Sequence, residues 1–73
     1  MARLIKTSGE ILPDVDISTL KKMQDLVGGY IEFIYLDEKV LVVNEEGLLD
    51  SLEYNPKASA IYGNDIVGDV IQC

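Results

Sequence analysis

The chain has no histidine, no tryptophan, one cysteine and only six basic residues among its 73. Each shortage closes a class of function. Without histidine, the commonest general base near neutral pH and the commonest metal ligand are missing. Ser-His-Asp and Cys-His catalysis are excluded. Cys73 cannot form an internal disulfide, which fits a reducing cytosol. It stands at a chain end expected to fray, a poor place for a catalytic thiolate. No apolar run approaches the roughly 18 residues that span a bilayer. The opening MARLIKTSGE lacks a hydrophobic signal core, so the expected setting is cytoplasmic, with no membrane partner.

Basic residues are outnumbered by thirteen acidic ones, giving a net charge of -7. That balance disfavours direct binding to DNA or RNA, which sets Lys and Arg against phosphates, and it disfavours anionic membranes. The acids are spread along the chain and form no tail. Their first role is a charged, solubilising surface. Their second is imitation of nucleic acid toward a basic partner. A small anion needs a local basic pocket, and Arg3, Lys6 and Lys57 are the few cations available for one.

At 48% hydrophobic, the composition is that of a globular domain, and the length allows one, over 1–73. Its core is small, so a symmetric homo-oligomer is an expected way to bury more surface. The organising stretch is Val27 to Gly47, where Tyr30–Leu36 and Val40–Asn44 are rich in Val, Ile, Tyr and Phe and flank the polar Asp37-Glu38-Lys39. This pattern predicts a β-hairpin. Both faces of its first strand are largely apolar, which predicts a central strand covered by a helix on one side and by a loop or second subunit on the other.

Before the hairpin, Ala2–Thr7 reads as a strand and Ser8-Gly9-Glu10 as a turn. Ile11–Ile17 reads as a strand with Ile11, Val15 and Ile17 on one face, shortened or held at an edge by Pro13. Ser18 reads as the N-cap of a helix to Val27, with Leu20, Met23 and Val27 at helical spacing and Gly28 or Gly29 as C-cap. After the hairpin, Leu48, Leu49 and Leu52 are expected inside, in strand or irregular turn. Asn55-Pro56 starts a short helix ended by Gly63, and Asp65–Gln72 is a last strand with a bulge or close approach at Gly68. The fold class is therefore α+β. A mostly antiparallel sheet of four or five strands carries one main helix on one face, with a second short helix. The expected core is Leu4, Val15, Leu20, Met23, Val27, Ile31, Phe33, Leu41, Val43 and Ile66.

Carboxylate pairs occur at Glu45-Glu46, Asp37-Glu38 and Asp65 with Asp69. In so charged a chain they read as solvated surface before they read as an acid/base pair. Asn44-Glu45-Glu46 lacks the alternating ligands of a calcium loop. No enzyme activity, metal site or cofactor is expected. Asn44-Glu45-Glu46-Gly47 is a turn first and a binding loop second. The four tyrosines are core and rim material first and a stacking platform second.

The runs Leu26-Val27-Gly28-Gly29-Tyr30-Ile31-Glu32, Asn44-Glu45-Glu46-Gly47-Leu48, Asn55-Pro56 with Ala58, Tyr62-Gly63 and Ile66-Val67-Gly68-Asp69 together resemble a family of small phage and prophage proteins classed as a domain of unknown function. The resemblance implies a phage accessory protein in a host cytoplasm, of a size that often acts against host defence. Two functions follow as expectations. One is non-enzymatic sequestration of a host defence signal such as a cyclic nucleotide, by Arg3, Lys6, Tyr30, Asn44, Asn55 and Tyr62. The other is an acidic inhibitor or DNA mimic that docks on a host protein.

Overall fold

The computed structural model describes residues 2–73. Its elements are β1 (Arg3–Ile5), β2 (Ile11–Leu12), α1 (Leu20–Val27), β3 (Ile31–Tyr35), β4 (Val40–Asn44), α2 (Pro56–Tyr62) and β5 (Val70–Gln72). The strands form one antiparallel sheet of five in the order β2-β1-β5-β4-β3. The fold is α+β, as the pattern predicts, with the eight-residue α1 loosely meeting the expected main helix and the seven-residue α2 as the second, short one.

The hairpin forms as expected, with five consecutive pairs from Ile31↔Asn44 to Tyr35↔Val40. Strand register then sorts side chains to two faces. Leu4, Val42, Ile71 and Ile31 meet Met23, Leu26 and Val27 of α1. Ile5, Leu41, Val43 and Val70 meet Ala58 and Ile61 of α2, together with Ile66. The helices therefore cover opposite faces, and the second apolar face of the hairpin is partly covered within the chain, with Ile34 and Leu36 half-buried.

This corrects the expected place of β3. It is an edge strand, and β5 is central. Its two apolar faces reflect helices above and below the sheet, not a neighbour on each side. Phe33 is 45% exposed and Leu20 is 56% exposed, against their expected burial. α1 is only two turns long, about 12 Å at 1.5 Å per residue. It packs on β3 at Ile31 and leaves Phe33 and Tyr35 beyond its end. Val15, Met23 and Ile31, also expected in the core, are half-buried at its margin. Leu48 and Leu49 are exposed as well, on a turn closed by Asp50 N–H donating to Glu46 O and Leu52 N–H to Gly47 O.

Smaller corrections come from local turns and caps that redirect the backbone. β2 stops before Pro13, and Asp14 takes φ 56°, so Ile11 stays on the α2 face while Val15 and Ile17 cross to the α1 face. The Ser18 amide donates to Asp16 Oδ1, and the N-cap falls to Thr19, whose Oγ1 accepts from Lys22 N–H at 3.2 Å. The last strand shrinks to Val70–Gln72 because Gly68 turns at φ 81°. A Cβ there would lie 2.8 Å from the Leu52 Cδ1 methyl, which would have to shift, and the positive φ itself calls for glycine. Cys73 does not fray: its amide and carbonyl pair with Val40 at 2.9 Å each.

Candidate functional site

Two buried asparagines fasten the helices to the sheet. At the end of β4, the Asn44 amide nitrogen donates to Val27 O, the last carbonyl of α1, at 3.2 Å. Its Oδ1 accepts from Glu46 N–H at 2.8 Å, which shapes the Asn-Glu-Glu-Gly turn. Gly29 passes so close that a Cβ would stand 2.9 Å from Asn44 Nδ2. Asn55 is fully buried. Its Oδ1 caps α2 by accepting from Ala58 N–H at 3.0 Å, and its Nδ2 donates to Ile5 O and Gly68 O at 2.9 Å each. Ser59 completes the clasp: its hydroxyl accepts from Ile66 N–H at 2.8 Å and donates to Ile66 O at 3.2 Å. Sequence reasoning missed Ser59; the available signal was a polar residue on the inner face of a short helix.

The six residues expected to bind a ligand are not gathered in one cavity. Asn44 and Tyr62 line one groove, while Tyr30 borders a separate hollow with Gln24, Asp25, Gly28 and Gly29. Asn55 is enclosed and its amide is engaged on both sides. The Arg3 guanidinium donates to Gln72 Oε1 at 2.7 and 3.0 Å on the sheet surface. Lys6 faces Glu10 at 3.9 Å. Among the described residues, no buried side-chain nitrogen or oxygen lacks a hydrogen-bond partner.

The Asn44–Tyr62 groove has a volume of about 400 Å³ on the α2 face of the hairpin. β3 and β4 supply its floor through Ile34 and Val43. The turn after β4 forms one wall with Leu48 and Leu49, and Tyr62 and Asp65 stand at the other. Its charged residues are Glu32, Glu45, Glu46 and Asp65, with no Lys or Arg. Among the described residues, no three acidic or cysteine side chains converge closely enough to hold a metal ion. The groove presents negative charge over an apolar base, which suits a cationic group carried on an apolar stem.

Among the described residues, no helix is long and apolar enough to cross a membrane. Neither the curated proteins nor the solved structures contain a match to this chain. A family model does match it, over residues 1–73, and the protein belongs to that family, the Domain of unknown function (DUF3846).

Proposed function

We propose that this chain is a non-enzymatic, phage-type accessory protein that docks on a host protein in the host cytoplasm, taking a basic segment of that protein into its acidic groove. One observation carries the reading. The groove places Glu32, Glu45, Glu46 and Asp65 around an apolar floor, with no cation among them and with Leu48 and Leu49 exposed at its wall. Charge complementarity of this kind selects partners and speeds their encounter. The phage setting rests on the motif resemblance alone.

The same lining weighs against trapping a cyclic nucleotide there, because a phosphate would face four carboxylates. The Asn44 and Asn55 amides that would read a base already hold α1, α2 and β1 in place. Amide-resolved NMR titration separates the two readings. A short peptide of alternating lysine and leucine should shift Glu32, Glu45, Glu46 and Asp65, and the double variant Glu45→Lys, Glu46→Lys should abolish the shifts. A cyclic nucleotide that moves these resonances below about 1 mM, where the peptide does not, would overturn the docking reading.

A further inference from the structure

We infer that the outer edge of β3 is the line on which the partner docks: an extended partner segment of alternating apolar and basic residues adds to the sheet as a sixth, antiparallel strand. The inference rests on the docking reading above and specifies how the segment is held.

The backbone shows which groups are free. Glu45 N–H donates to Tyr30 O and Leu36 N–H to Lys39 O, at the two ends of the β3–β4 ladder. Antiparallel pairs alternate between hydrogen-bonded and non-bonded positions. Glu32 and Ile34 therefore direct their N–H and C=O groups toward β4. Ile31, Phe33 and Tyr35 direct theirs away from the sheet, where no strand of the described residues follows.

The two edges of the sheet differ. β2 has two residues and is ended by Pro13 and the positive φ of Asp14, features that discourage pairing. β3 runs for five residues without proline, lysine or bulge, in unbroken register with β4. Phe33 and Tyr35 stand 45% and 75% exposed along it, their rings stacked with centroids 6.3 Å apart. An edge strand without these blocking features leaves its outward N–H and C=O groups open to another strand.

The faces beside this edge define what the added strand carries. A strand about 4.8 Å away sets its side chains beside those of its neighbour on each face. On the α1 face they would lie against Phe33 and Tyr35, which favours apolar residues. On the α2 face they would lie beside Glu32, over the acidic groove, which favours Lys or Arg. A second copy of this chain is the less suitable occupant, since two molecules of charge -7 repel and would bring Glu32 against its own acidic groove.

The probe is the peptide Lys-Val-Lys-Val-Lys-Val-Lys. If its valines share a face with Phe33, their amides are the ones bonded to β3, and the lysine amides point outward. Methylating the valine nitrogens should weaken binding by about tenfold or more, from several lost hydrogen bonds. Methylating the lysine nitrogens should change it by less than about threefold on the same basis. On the protein side, Phe33→Pro removes an outward N–H without touching the β3–β4 ladder, and Phe33→Ala controls for loss of the ring. Phe33→Pro should bind at least about tenfold more weakly than Phe33→Ala. Equal binding of the two methylated peptides would overturn strand addition while leaving the groove as a docking site. A dimer that Phe33→Pro dissociates and that excludes the peptide would assign the edge to a second copy and overturn the inference. Failure of the plain peptide to bind at all would sink both this inference and the docking reading.

Discussion

Asn55 holds three backbone groups at once, one on α2, one on β1 and one on the Gly68 turn, while fully buried. Asn55→Ala removes a helix cap and the side-chain donor to two carbonyls, Ile5 O and Gly68 O. Helix caps contribute roughly 0.5–2 kcal/mol and an unsatisfied buried group costs roughly 1–3 kcal/mol. The variant should therefore lose about 3 kcal/mol or more in denaturant melts, and a loss below about 1 kcal/mol would show that the clasp is dispensable. Asp16 makes a different kind of prediction. The Lys22 ammonium at 2.6 Å, and then the Ser18 hydroxyl and amide, hold its carboxyl well below the usual carboxylate range. Its folded pKa is depressed, so its contribution is full above the unfolded value near about 4 and is lost as pH falls from there toward the folded one. Asp16→Asn should flatten the fall in stability below about pH 4 relative to the parent, with little change at pH 7 in high salt, because the pair is exposed. An identical acid limb for both proteins would exclude a role for Asp16.

Among the elements, those with strong local signals were legible in the sequence. The β3–β4 hairpin, the Asn55-Pro56 start of α2 and the edge position implied by Pro13 all form as the residues predict. What the sequence did not reveal depended on contacts distant along the chain. Pairing of β1 with β5, which makes β5 central and β3 an edge, joins the two ends of the chain and leaves no mark on either segment alone. The exposure of Phe33 follows from how far α1 reaches, which apolar spacing does not encode. The candidate site was legible in part. Asn44 and Tyr62 do share a groove, but Asn44 and Asn55 read equally well as ligand contacts or as clasps until their partners are visible. The contrast within the hairpin is measurable. Leu41→Ala, in the fully buried centre, should cost about 2–5 kcal/mol. Phe33→Ala, at the exposed edge, should cost less than about 1.5 kcal/mol in the same melts. A cost for Phe33→Ala equal to that of Leu41→Ala would mean that the ring is covered in solution and that the edge is not free.

For the whole molecule, the decisive feature is where the charge lies. Ten of the thirteen acidic residues follow Met23, against two of the six basic ones. Most cations are already engaged: Lys21 with Asp25, Lys22 with Asp16, Lys6 with Glu10, Arg3 with Gln72, and Lys57 with the Gly9 carbonyl. The unbalanced acids therefore belong to the half of the chain that builds the hairpin, the groove and α2. A basic segment approaching this side is attracted before contact, and the attraction is screened over a Debye length of about 8 Å at physiological salt. Apolar contacts with Phe33, Tyr35, Leu48 and Leu49 act only after contact. The two contributions should separate kinetically for the lysine–valine peptide. Its association rate should fall steeply between about 50 and 500 mM salt, and Glu45→Gln with Glu46→Gln should reduce that dependence. Leu48→Ser with Leu49→Ser should leave association unchanged and speed dissociation, at a stability cost within about 0.5 kcal/mol because both leucines are exposed. An association rate indifferent to salt would remove electrostatic steering from the account, since a groove of four carboxylates without a cation cannot attract a basic segment independently of ionic strength.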